Sequence, residues 1–338
     1  MNKLPVLTES GQLSRDALPA VGIMIGDACG IGPEVAVKAW HTGQLHNVCR
    51  PVLIGSAEVL RHAATLARVP NDVRTVQNLS DSTSQHAIMD VIDPVVFDFA
   101  CVNYGHDVKA SGLVCGQWLD HADGLARAGI LDAVVMGPIS SGAMKMASTL
   151  GSIATNKPDG AYLILRSGPL MIAHLTDHIA FHTIPAAVTK DKVLKLVRAL
   201  NTALTAWGVN NARIAVAGLN PHAEGCEETN EIIPALKQAS AEGIDVTGPI
   251  SPDSVFRHCI EGRYDVVIAM YHDQGHIAMK TWGFSGNSVV MLGPPYVHTT
   301  VAHGVAYEIA GTGQADHTML LNAALNAAYL AAGKGFFG

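Results

Sequence analysis

The sequence has only six cysteines, at 29, 49, 101, 115, 226 and 259, and no Cys-x-x-Cys pair. This scatter excludes a disulfide framework and a thiolate zinc site, and it leaves reduced thiols in a cytoplasmic protein as the expected state. Aromatic residues are scarce, 5% against 49% hydrophobic overall, so the core is expected to be aliphatic and alanine-rich. Positive charge is also short: 22 Lys and Arg face 29 Asp and Glu, for a net −7. That balance argues against a nucleic-acid or anionic-membrane surface, which needs clustered cations, but leaves room for an anionic small substrate. No apolar run reaches the ~18 to 20 residues of a membrane helix. The first twenty residues carry Glu9 and Asp16 and no apolar segment, so no signal peptide is expected.

What is present is a recurring pattern. "VGIMIGDACGIGPEVAVKAW" reads as a strand, a glycine-rich turn and a helix, with Pro33 suited to the first helical position. "LDAVVMGPISSGAMKMA" and "ARIAVAGLNPHAEGCEETNEIIPALKQA" repeat it. Short buried strands alternating with helical stretches such as 190–206 and 229–241 predict an α/β fold with a mostly parallel sheet. "LMIAHLTDHIAFHTIP" reads as two further strands broken near Thr176 and Asp177, and 315–333 as a C-terminal helix.

In such sheets ligands bind beyond the carboxyl ends of the strands. Four strand ends carry polar or glycine-rich turns: Asp27, Ser140, Asn220 with His222, and His272 with Asp273. Together they predict one shared cleft. His222 and His272 follow apolar strands, and two imidazoles at neighbouring strand ends can share a divalent ion. With 16 histidines in the chain, the plain alternative for each is a surface or hydrogen-bonded core residue. "GDACGIGPE" has neither the Rossmann glycine spacing nor the Gly-Lys-Ser/Thr of a Walker loop, so it reads as a tight turn, with Asp27 orienting a substrate or capping a helix. Lys280 can pair with a substrate carboxylate or lie solvated on a helix. His303-Gly304 marks another turn, where a glycine allows close approach of a cofactor.

Taken together, "GDACGIGPE", "VAGLNPHAEG", "AMYHDQGHIAMK" and "VAHGVAYEIAGTGQAD" resemble, in order, the motifs of the 4-hydroxythreonine-4-phosphate dehydrogenase family of pyridoxine biosynthesis, over roughly residues 20 to 330. The resemblance implies an isocitrate/isopropylmalate-dehydrogenase-like fold, with two α/β domains, mostly parallel sheets and a cleft between them. On that basis 1–18 is an extended N-terminal segment and 19–140 plus 281–338 a larger α/β domain. Residues 141–280 form a second α/β domain carrying the metal site and the dimer interface. It also implies a homodimer with its active site at the interface, NAD or NADP, a divalent metal (Zn, Mg, Mn or Co), and oxidation of a secondary alcohol followed by decarboxylation. Carried over by residue, His222 and His272 fall on metal-binding histidines. Gly218, Asn220, His303, Gly304 and Ala306 fall in cofactor-contacting motifs, and Lys280 on a substrate-contacting lysine.

Departures from the family pattern shape the rest. A Gly-His-Thr-Glu motif is replaced by "NKPDGAYLILRSG", which puts Asp159 where a third metal histidine is expected. The arginine of the phosphate pocket becomes His298 in "YVHTT", and the lysine of a neighbouring block is lost in "MGPISSG", at Ser140 and Ser141. Asp253 and Ser254 stand in a mildly altered substrate motif. Losing an Arg and a Lys costs affinity for a phosphate dianion. A non-phosphorylated hydroxy acid is therefore expected, and the chain resembles a branch of the family that acts on cis-dihydrodiol carboxylates and shares His276 in "HDQGHI", which implies a substrate of that type. Asp273, Lys280 and Asp27 are the candidate proton-handling and substrate-holding groups. The alternatives are a true phosphohydroxythreonine or phosphotetronate dehydrogenase, a metal-dependent hydrolase or transferase, and an inactive ligand-binding homologue.

Overall fold

The structure, a computed structural model, describes residues 18–83, 85–154, 161–283 and 287–337. Asp159 lies outside the described residues. The chain forms two units: 1–157 with 295–332 and Phe337, and 158–294 with 333–336 and Gly338.

The first unit begins with β1 (Ala20–Met24), α1 (Gly32–His41), β2 (Arg50–Ile54), α2 (Ala57–Ala67), β3 (Asp72–Val76) and β4 (Ile88–Ile92), followed by α3 (Lys109–Arg127), β5 (Ala133–Met136) and α4 (Ser141–Ala147). β1 and β5 are buried at every residue, as strands covered on both faces must be. The starts of α1, α2 and α4 are specified locally. Pro33 and Glu34 open α1 while Lys38 and His41 close it, matching the sign of the helix dipole. Ser56 caps α2 and Ser140 caps α4, each hydroxyl accepting from a backbone N–H three residues on.

The second unit holds β6 (Tyr162–Ser167), β7 (Leu170–His174), α5 (Ile184–Ala187), α6 (Lys190–Ala206), β8 (Ile214–Ala217) and α7 (Ile233–Ala241), then β9 (Val246–Ile250), α8 (Val255–Ile260), β10 (Val266–Ala269), α9 (His272–Trp282) and β11 (Ser288–Leu292). The chain then re-enters the first unit as β12 (Val297–Val301) and α10 (Thr318–Ala331).

Strands of the first unit run β3-β4-β2-β1-β5-β12, all parallel. Those of the second run β11-β6-β7-β10-β8-β9, antiparallel from β11 to β7 and parallel from β7 to β9. The fold is thus α/β with mostly parallel strands. The 190–206 helix is α6. The 229–241 stretch is helical too, a π-helical turn at Glu228–Ile232 running into α7. "LMIAHLTDHIAFHTIP" is a single strand, β7, and not two: after His174 the chain leaves the sheet and coils at Phe181–Thr183 into α5, where Pro185 starts the helix.

Candidate functional site

The opening of α9 is fastened to three strand ends. The Met270 N–H donates to Gln274 Oε1 at 2.7 Å, and the Gln274 amide nitrogen donates to the Gly218 carbonyl, beyond β8, at 2.8 Å. The Thr176 hydroxyl, beyond β7, donates to the Met270 carbonyl at 2.9 Å. A side-chain amide accepts through its oxygen and donates through its nitrogen, so Gln274 ties the ends of β10 and β8 together.

On this platform Asp177, His178 and His272 converge: one ligand atom from each lies within 4.8 Å of the others, the one such group of three among the described residues. His178 Nδ1 sits 3.0 Å from Asp177 Oδ1, and the His178 and His272 ring centroids are 4.8 Å apart. His222 is not part of the group, so the structure does not place it with His272 around one described three-ligand centre. His178 is the residue that sequence reasoning missed. Its signal was the polar Asp177-His178 pair three residues past the end of the fully buried β7.

Asp273 accepts from His272 Nδ1 at 2.7 Å. The hydrogen bond from His272 holds the Asp273 carboxyl below its usual range. With Nδ1 donating, Nε2 of His272 keeps its lone pair, the tautomer a metal ligand needs. His276 stacks on His272 at 3.7 Å and 15°, with its Nδ1 on the His272 carbonyl at 3.1 Å. Burial, the neighbouring His272 and Lys280 push the His276 imidazole down to about 4. Behind it, His174 is buried at the end of β7, its Nδ1 3.2 Å from the Leu163 carbonyl. Burial, with His276 and His272 nearby, lowers His174 to about 3. Gly275 makes room for that ring, since a Cβ there would lie 2.3 Å from His174 Nε2. Lys280 is exposed one turn beyond His276.

The donor set of two imidazoles and one carboxylate suits a divalent first-row ion, and Zn²⁺ or Co²⁺ better than Mg²⁺, which prefers oxygen. Asp177 Oδ1 strengthens the fit: it is buried and makes no hydrogen bond, although His178 Nδ1 lies 3.0 Å away.

The turn after β8 is held by a second buried carboxylate. Glu228 accepts from the N–H groups of Leu219 at 2.7 Å and Asn220 at 2.8 Å, and from the Asn220 amide at 2.8 Å. Burial pushes the Glu228 carboxyl up, but the hydrogen bonds from Asn220 and Leu219 outweigh it and hold it low. Asn220 is therefore occupied locally. His222 follows at φ 58°, ψ 10° and Ala223 at φ 58°, left-handed conformations that are strained for side-chain-bearing residues. His222 lines an open cavity of about 880 Å³ with Ser251, Asp253, Phe256, Tyr271 and Trp282 among its walls. Asp253 accepts from the Ser251 hydroxyl at 2.8 Å, and the Ser254 hydroxyl donates to the Ser251 carbonyl at 3.2 Å. Gly218 must be glycine, since a Cβ would come within 2.7 Å of Ala223.

In the first unit Asp27 is buried after β1. Its Oδ1 accepts from the Ser111 hydroxyl and the Cys29 N–H, and its Oδ2 from the Tyr307 hydroxyl. Ser140 donates to Asp107, and Ser141 is exposed at the start of α4. His298 lies in the interior of β12, 2% exposed, its ring stacked 5.9 Å from Tyr296. His303 Nδ1 contacts its neighbour's carbonyl, Gly304 is exposed, and Ala306 takes φ 44°.

A family profile described as pyridoxal phosphate biosynthetic protein PdxA matches residues 47–328. A protein of Novosphingobium aromaticivorans, provisionally named a 4-hydroxythreonine-4-phosphate dehydrogenase, is 50% identical over 323 residues, covering 96% of this chain and 98% of its own. The crystal structure of 4-hydroxythreonine-4-phosphate dehydrogenase from Klebsiella pneumoniae superposes with a TM-score of 0.82 at 31% identity, covering 93% of this chain and 99% of that one. A terephthalate 1,2-cis-dihydrodiol dehydrogenase from Burkholderia xenovorans LB400 gives 0.68 at 30% identity, covering 92% and 98%. With the profile spanning most of the chain and a relative at half identity along nearly its whole length, the protein belongs to the PdxA family.

Proposed function

We propose that this chain is a divalent-metal-dependent NAD(P) dehydrogenase that oxidises, and decarboxylates, a small non-phosphorylated hydroxy acid of the cis-dihydrodiol carboxylate type. The observation that carries the reading is the convergence of Asp177, His178 and His272 at the strand ends of a PdxA-family chain. These three residues would hold the ion. When bound, it supplies Lewis acidity that lowers the pKa of a substrate hydroxyl, and the nicotinamide supplies the hydride acceptor. Asp273 fixes the His272 tautomer, and Lys280 offers its ammonium to a substrate carboxylate. His303, Gly304 and Ala306 form the dinucleotide-contacting segment, and Gly218 and Asn220 shape the turn after β8.

The substrate assignment rests on what the chain does not offer a phosphate. "YVHTT" supplies His298, buried within β12, where the family pattern has an arginine, and "MGPISSG" supplies no lysine. The likeness to a terephthalate dihydrodiol dehydrogenase supports the same choice. The provisional name of the Novosphingobium relative favours the second reading, a phosphorylated hydroxythreonine or tetronate. We further propose a cytoplasmic homodimer with its active site at the subunit interface.

The test is absorbance at 340 nm with NAD or NADP and Zn²⁺, Co²⁺, Mn²⁺ or Mg²⁺, across phosphorylated hydroxythreonine, phosphotetronates and cis-dihydrodiol carboxylates. Turnover confined to the dihydrodiol carboxylates is expected. Turnover confined to the phosphorylated acids would replace the substrate assignment, and hydrolysis without any absorbance change would remove the dehydrogenase reading.

A further inference from the structure

The segment after β12 is pinned at two places, to the turn after β1 and to the first half of α1. At the first, the Tyr307 hydroxyl reaches Asp27 Oδ2 at 2.8 Å and Asp107 Oδ1 at 2.9 Å. Each carboxylate is itself anchored: Asp27 takes the Ser111 hydroxyl and the Cys29 N–H, and Asp107 takes the Ser140 hydroxyl. Around this point the Ile31 N–H donates to the Val305 carbonyl at 3.0 Å and the Gly105 N–H to the Cys29 carbonyl at 3.1 Å. Gly30 permits the approach, because a Cβ there would fall 2.8 Å from Val305 Cβ. At the second, Glu34 is buried and accepts from the N–H groups of Gly313 at 3.1 Å and Ala315 at 2.6 Å. Lys38 donates to Glu34 at 2.7 Å and to the carbonyls of Gly313 and Ala315 at 2.9 and 2.7 Å.

"GDACGIGPE" and "VAHGVAYEIAGTGQAD" are therefore two halves of one clasp, and its free stretch is His303–Gly304. A Cβ on Gly304 would meet nothing within 4 Å, so that backbone faces open space. Ala306, between the free stretch and the pin, holds φ 44°, a left-handed conformation that costs on the order of 1 to 3 kcal/mol and persists only when its surroundings enforce it. Tyr307, its immediate neighbour, is the residue with the polar anchor. Burial and the adjacent carboxylates push the phenol's pKa upward, so it stays a hydrogen-bond donor.

We propose that Tyr307 is a positioning residue for dinucleotide binding: its hydroxyl holds Ala306 in the left-handed conformation and thereby presents the His303–Gly304 backbone to the nucleotide. This rests on the NAD(P) reading above. One phenolic proton serves two carboxylates, so removing the hydroxyl leaves the buried Asp27 Oδ2 short of a donor and frees the segment at its strained point.

The experiment uses full-length protein loaded with Co²⁺, comparing wild type with Tyr307→Phe and Asp107→Ala. Dissociation constants for NADH and NADPH come from nicotinamide fluorescence, Co²⁺ affinity from its absorption bands, and loop order from amide hydrogen exchange over 302–316. In Tyr307→Phe the preferred dinucleotide is expected to bind about 5- to 20-fold more weakly, with faster exchange at 303–307 and unchanged Co²⁺ affinity. Asp107→Ala, which removes only the exposed partner, should shift both readouts the same way by less. A wild type that binds dinucleotide while both variants bind it equally well overturns the proposal alone. A wild type that binds neither dinucleotide overturns the cofactor reading and the proposal with it.

Discussion

His272 shows how one side chain acquires a role from its neighbours. Asp273 fixes its tautomer, His276 packs flat against its face and the His178 ring lies tilted beside it, centroids 4.8 Å apart. Replacing Asp273 by Asn should keep the fold and weaken Co²⁺ binding by about 10- to 100-fold, the usual cost of losing a carboxylate behind a ligating histidine. Calorimetric titration of the variant checks this. His174, behind the stack, responds to pH. Its folded pKa, about 3, lies below the unfolded value of about 6.5, so the unfolded chain binds more protons between these limits. Stability is therefore complete above about 6.5 and is lost as pH falls toward 3, by on the order of 2 kcal/mol at pH 5. Urea unfolding of the metal-free protein at pH 7 and pH 5 should show that loss, and His174→Gln should reduce it, with His276, lowered to about 4, contributing the remainder.

The elements were legible where local chemistry is unambiguous. Val21–Met24 and Ala133–Met136 are apolar runs that end at glycine-rich turns, and both are buried parallel strands. Reading failed where polar residues punctuate an apolar stretch. "LTDHIAFHTIP" has strand-like composition, but Thr176 bonds to Met270 and Pro185 opens a helix, so the segment turns out of the sheet and carries His178 to His272. That tertiary bond is invisible in the sequence, which is why the sequence alone did not bring His178 to His272. The "HDQGH" glycine, by contrast, now has a packing reason. Gly275→Ala would place a methyl against His174 and Ile172, and should cost about 1 to 3 kcal/mol in urea unfolding while disturbing Co²⁺ binding through the ring stack.

At the scale of the whole chain, the α/β class and the PdxA family were both readable from four ordered motifs, because strand-end turns carry the residues whose chemistry is least replaceable. Which side chains close the site was not readable, since that depends on loops from different strands meeting. The central claim is that His178 and His272, with Asp177, hold a divalent ion. Titrating Co²⁺ into metal-free wild type, His178→Ala and His222→Ala, followed by absorption and calorimetry, tests it directly. The account predicts that His178→Ala loses about two orders of magnitude in affinity or more, as removal of an imidazole donor should. A His178→Ala protein that binds Co²⁺ as tightly and with the same spectrum as wild type would contradict it.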